Sequence, residues 1–188
     1  MVDRDAAARA IEAFLRALGH EPVGELAETG ERVAEAWASD LLQGASVDAG
    51  ALLRDGSIAR DSAAPAGLVV VRDLDVSTMC PHHLLPAQGK ALVAYQPGAR
   101  IAGLGTIAGV VDTLSRRLTL QERIGEAVAE LFVSELGARG ALCKLSLVHA
   151  CLSLRGERKA SSRVETLALA GSFAEPSADR DLALAVLR

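Results

Sequence analysis

Aromatic side chains are scarce in this chain of 188 residues, which holds three Phe, one Tyr and one Trp. So few rings exclude the stacking platform on which single-stranded nucleic acids are bound, and they demand a core of Leu, Val, Ile and Ala. A basic excess is missing too. The net charge is -4, and no cationic stripe stands ready to displace the counterions of a phosphate backbone. Long apolar runs are absent, so no segment reads as a membrane span, and the charged stretch from Met1 to Arg9 lacks the apolar centre of a signal peptide. Three cysteines are a poor basis for a disulfide framework, which leaves thiols or thiolate ligands in a cytoplasmic protein as the expectation.

What is present is concentrated. The four histidines and three cysteines fall mainly into two short stretches, Cys80-Pro81-His82-His83 and His149-Ala150-Cys151. His20, outside both, reads as a solvated loop residue, and Cys143 as a small core residue.

Apolar residues at three- and four-residue spacing predict a helix over 4–18, ended by Gly19. A second is expected from about 30 to 42 with Thr29 as its N-cap, the two packing together or on a neighbouring subunit. Residues 45–66 read as loop with at most one helical turn. From Leu68 the texture turns β-branched, predicting a strand that delivers the chain to Cys80, and a second strand over 89–95. Residues 101–105 read as a Gly-punctuated link. Helical spacing returns over 106–118, and Thr119-Leu120-Gln121-Glu122 has the pattern of a capping box opening a long helix to Gly137. Strands over 142–154 and 163–170 and a short helix near 179–187 complete an α+β fold, divided into an N-terminal helical region (1–66) and a second domain (67–188) that holds both Cys/His stretches.

Cys80 and His83, spaced C-x-x-H on a loop after a strand, offer a thiolate and an imidazole to one ion, a set that favours zinc. A regular strand over 142–154 turns His149, Cys151 and Arg155 to one face and Val148, Ala150 and Leu152 to an apolar other face. Cys80, His83 and Cys151 as ligands leave a tetrahedral zinc one open position, with His82 and His149 as neighbouring proton carriers. The plainer alternatives are a structural metal clip and, for Glu122, a capping role alone.

The run Ser77-Thr78-Met79-Cys80-Pro81-His82-His83-Leu84-Leu85-Pro86, followed by Gly89-Lys90, Gly103-Leu104, Arg117, Gln121-Glu122-Arg123, His149-x-Cys151 and Arg155-Gly156, resembles GTP cyclohydrolase I. That resemblance implies a tunnelling fold (T-fold) assembled as a toroidal homodecamer with active sites between subunits. It also implies zinc-dependent opening of the guanine imidazole ring of GTP, giving formate and 7,8-dihydroneopterin triphosphate for pterin and tetrahydrofolate biosynthesis. By position, Cys80, His83 and Cys151 then hold zinc, and His82 and His149 transfer protons. Gln121 and Glu122 read the guanine edge, and Arg155, about 13 Å along the strand from Cys151, contacts phosphate.

One segment departs from the family. Its members usually follow Gly-Leu with Ser-Lys and then, three residues after the Lys, an Arg, all serving the triphosphate. Here the chain reads Gly103-Leu104-Gly105-Thr106-Ile107-Ala108-Gly109. Either Arg158 or Arg163 compensates, or the substrate is a guanine nucleotide or nucleoside with fewer phosphates. A non-catalytic zinc- and purine-binding oligomer is the remaining alternative. Pro81 stands where a Glu is usual, which stiffens the loop backbone.

Overall fold

The computed structural model describes residues 2–61, 67–156 and 158–187. The chain forms two compact units, Met1–Gln43 and Gly44–Arg188.

In the first unit, α1 (Arg4–Ala17) is capped by the Asp3 carboxylate, which accepts from the Ala6 amide at 2.9 Å, and it ends before Gly19, whose φ is 85°. Helix α2 (Thr29–Ala36) packs on α1 so closely that a Cβ at Gly30 would fall 2.7 Å from the Ala8 carbonyl oxygen. Thr29 lies inside this helix and is not its cap; Glu28 holds the cap position without a side-chain bond to a helix amide, its carboxylate accepting from Arg32 instead. From Trp37 to Leu41 the helix widens into a π turn, the Leu42 amide bonding back to the Trp37 carbonyl at 3.0 Å.

In the second unit, the region read as loop holds α3 (Ala49–Asp55) and β1 (Ser57–Ala59). The Asp48 carboxylate caps α3, accepting from Gly50 and Ala51 at 2.9 and 3.0 Å, and Leu53 is fully buried. Two turns of helix are too short to show a clear 3.6-residue period, so the cap was the only local signal.

The main sheet joins β2 (Val69–Met79), β3 (Pro86–Gln96), β5 (Gly140–His149) and β6 (Val164–Gly171), antiparallel throughout, in the order β2-β3-β5-β6. Between β3 and β5 the chain makes β4 (Arg100–Ala102), which pairs with β1 where a bare link was expected, then α4 (Leu104–Ser115) and α5 (Gln121–Ser134). Period-two alternation turns Val93, Tyr95, Leu145 and Leu147 toward this helix pair, where they pack with Val110, Val128 and Phe132 in the larger core. The opposite face buries Ala94 and Leu142 with Phe173 and Ala183, the last from α7 (Ala178–Ala185). The fold is the expected mixture of helices and antiparallel sheet.

Two local expectations give way. Strand β5 stops at His149, and Ala150–Ser153 form a helical turn, α6, closed by the Leu154 amide on the Ala150 carbonyl at 3.0 Å. The capping box does not form: α5 begins at Gln121 with Leu120 as its cap residue and no side-chain bond. Thr119 instead gives its amide to the Met79 carbonyl at 3.3 Å, and Met79 bridges to Leu118. Tethering of the α4–α5 linker to the end of β2 prevails over the local cap, and it brings the start of α5 to the strand end that leads into Cys80.

Candidate active site

The turn between β2 and β3 carries Cys80, His82 and His83. Its ends are closed by the Cys80 amide on the Leu85 carbonyl at 3.0 Å and the Leu84 amide on the Cys80 carbonyl at 2.9 Å. Leu84 has a φ of 53°, an unusual conformation for a residue with a Cβ, and its side chain is 52% exposed. Nothing in the sequence marks Leu84 for that geometry. It follows from returning the chain to β3 directly after His83.

In the central ladder Ala87 lies opposite His149, so the end of β5 falls beside this turn, and α6 carries Cys151 on from there. One ligand atom from each of Cys80, His83 and Cys151 lies within 4.8 Å of the others. Small side-chain rotations close that spread onto an ion with bonds of about 2.0–2.3 Å, so these residues can hold a metal. The two sulfurs and one imidazole nitrogen make a soft, closely grouped donor set. His82 Nδ1 and His83 Nδ1 each lie 4.0 Å from Cys80 Sγ, and the two rings meet edge to face with centroids 6.3 Å apart.

His149 is the last residue of β5, and the strand read through residue 154 ends with it. It shares its pleat face with the buried Leu147, the face turned to the helix pair, and its Nε2 lies 2.8 Å from Gln121 Oε1. Partial burial lowers the His149 pKa, while the nearby Glu122 carboxylate opposes that shift. Cys151 owes its position to the turn of α6 and not to strand alternation.

Gln121, expected to read a guanine edge, is 2% exposed. Its Nε2 donates toward the Leu145 carbonyl at 3.3 Å, the Val164 carbonyl at 2.9 Å and Thr166 Oγ1 at 3.1 Å. Glu122 is exposed in the first turn of α5, where the helix dipole favours a carboxylate, and with Thr166 it borders a groove along β6. Arg155 is exposed after α6; with β5 ending at His149, the expected spacing along a strand does not apply. Thr166 and Val164 escaped the sequence reading, since their part depends on how β6 pairs with β5.

At the departing segment, the Gly56 carbonyl accepts from the Gly103 amide at 3.0 Å and from the Thr106 hydroxyl at 3.1 Å. A Cβ at Gly109 would meet Leu52 of α3 at 3.3 Å. Thr106 and Gly109 therefore serve the packing of α3 on α4.

The family model for GTP cyclohydrolase I matches residues 7–188. Relatives named GTP cyclohydrolase 1 include one from Leifsonia xyli, 40% identical over 181 residues that span 96% of this chain and 93% of the relative. One from Chromobacterium violaceum is 42% identical over 174 residues, 90% and 82% of the two chains, and one from Clostridioides difficile is 35% identical over 188 residues, 99% and 97%. Among solved structures, the archaeosine synthase QueF-Like in the apo form aligns with a TM-score of 0.47 at 16% identity, covering 58% of this chain and 97% of that one.

Proposed function

The chain belongs to the GTP cyclohydrolase I family, and from that premise we propose that it opens the guanine imidazole ring of GTP by zinc-dependent hydrolysis, releasing formate and 7,8-dihydroneopterin triphosphate. That it is a GTP cyclohydrolase I-like enzyme with the α+β tunnelling fold follows from the family itself. The observation that carries the finer reading is the convergence of Cys80, His83 and Cys151 at the end of the β2–β3 hairpin, next to the strand end that bears His149.

Cys80, His83 and Cys151 would hold the zinc. A zinc ion held there supplies the Lewis acidity that makes water a nucleophile near neutral pH. The remaining work falls to protein groups. His82, on the same turn, and His149, at the end of β5, are assigned to proton transfer, His149 tending to the neutral form that accepts a proton. Glu122 accepts from the guanine N1–H and amino group, a charge-assisted pairing, and Arg155 meets phosphate. A cytoplasmic homodecamer with sites between subunits belongs to the same proposal.

A second reading, a substrate with fewer phosphates, draws support from Thr106, whose hydroxyl is given to the Gly56 carbonyl, and from Gly109, which faces Leu52. Zinc-loaded protein incubated with GTP, GMP and guanosine, followed by formate release and pterin fluorescence, separates the two. Turnover of GTP alone supports the first reading and preference for GMP or guanosine the second; no product from any of them overturns both.

A further inference from the structure

We infer that Gln121 is a positioning residue that fixes His149 as the tautomer protonated on Nε2, leaving Nδ1 as the atom that takes and returns a proton. The inference rests on the proposed proton-transfer role of His149, and it begins from which way the Gln121 amide faces.

One end of that amide lies within bonding distance of the Leu145 and Val164 carbonyl oxygens, at 3.3 and 2.9 Å. Backbone carbonyls only accept, so the atom facing them is the nitrogen. Thr166 Oγ1, 3.1 Å away, completes a three-sided seat between β5 and β6. With the nitrogen so held, the atom 2.8 Å from His149 Nε2 is the amide oxygen, which also only accepts. His149 Nε2 must therefore carry the hydrogen of that bond. In a neutral imidazole the free lone pair then sits on Nδ1.

The seat is rigid for a physical reason. Gln121 is the first residue of α5, and its side chain, 2% exposed, is fixed by groups on two neighbouring strands. Turning the amide over would set its oxygen against two carbonyl oxygens, neither of which can donate. Unmatched buried polar groups of that kind are disfavoured strongly enough to exclude the flipped state. Gln121 thus governs the ring's orientation and protonated atom, and its loss should appear in turnover more than in substrate affinity.

The test is long-range proton–nitrogen NMR of the histidine rings in the ¹⁵N-labelled, zinc-loaded full chain, with His149 signals assigned by their loss in His149→Asn. The expected wild-type spectrum has a protonated Nε2 and a bare Nδ1 at His149. In Gln121→Met the single tautomer is expected to give way to a mixture. Its kcat should fall about 10–100-fold, a part of the roughly 100- to 10,000-fold that a positioned proton-transfer group contributes, with KM unchanged. A raised KM with tautomer and kcat intact would show a substrate-reading residue and overturn the inference. Should Gln121→Met fail to fold, the wild-type spectrum decides alone. An Nδ1–H tautomer in protein that does release formate overturns the inference by itself. The Nε2–H tautomer in protein that releases none overturns the hydrolytic reading, and with it the proton-transfer half of the inference.

Discussion

The Cys80 amide and the Leu85 carbonyl meet at 3.0 Å across the mouth of the turn that holds two of the three candidate metal ligands. Within this closure Leu84 has a φ of 53°. A β-branched residue tolerates that conformation worse than leucine, and glycine accepts it freely. Leu84→Val is expected to weaken metal binding by about 1–2 kcal/mol, and Leu84→Gly to keep near-native affinity. Competition titration with a chromophoric chelator measures both; equal affinity in the two variants contradicts the strained-turn account.

Ligand and proton-carrier variants should separate cleanly. Cys80→Ser and Cys151→Ser are expected to lose stoichiometric zinc and activity together. His82→Ala should retain the metal while kcat drops by about 100-fold or more. Metal content by elemental mass spectrometry, beside formate release, distinguishes the classes, and a metal-free His82→Ala protein would place His82 among the ligands.

The three thiols differ in reactivity. Burial pushes the Cys143 pKa up to about 12, and its side chain is fully enclosed, so the nucleophilic thiolate is scarce there. Iodoacetamide applied to folded, metal-stripped protein is expected to label Cys80 and Cys151 and to spare Cys143. Added zinc should protect the first two. Peptide mapping reads the pattern, and early labelling of Cys143 under native conditions counts against the buried assignment.

Gly89 sits in the central ladder opposite Leu147, where a Cβ would lie 2.0 Å from the Ser146 carbonyl oxygen. Gly89→Ala must part β3 from β5 near His149, and a destabilisation of about 1–3 kcal/mol is expected, with activity falling too. Urea denaturation gives the first quantity; an unchanged midpoint would mean the strands move apart without penalty.

The α3 cap gives stability a dependence on acid. Donation by the Ala51 amide, then by Gly50, with Arg54 nearby, holds the Asp48 carboxyl below its ordinary value of 3.8. A lowered folded-state pKa means the contribution is fully present above the unfolded value and is lost as pH falls through the folded one. Asp48→Asn, which keeps a capping oxygen without the charge, should match wild type in acid and fall below it near neutrality. Melting curves across that range test this, and a constant difference at all pH values removes the linkage.

The grouping of Cys80, His83 and Cys151 as candidate metal ligands was legible because Cys and His are rare in this chain, so their clustering and C-x-x-H spacing stood out. The cores were legible through period two on the strands and 3.6 on α4 and α5. What escaped was set by distant partners. Thr119 looked like a cap until its amide was claimed by Met79, and the hold that the Leu145 and Val164 carbonyls take on the Gln121 amide depends on how β5 and β6 pair. The end of β5 at His149 also lacked a local marker, since no Gly or Pro interrupts residues 149–154. Without that break, alternation assigned Cys151 to a strand face and measured Arg155 along a strand that ends at His149.

The antiparallel pairing of β3 with β5 also has a kinetic side. These neighbouring strands are separated in sequence by β4 and two helices, so their ladder closes a long loop and depends on non-local encounters. Cys80 and His83 precede that loop, and Cys151 follows it. During refolding the chain therefore has no complete set of the three candidate ligands until the middle of the sheet has zipped, and tight metal capture there would be a clock that marks the arrival of β5.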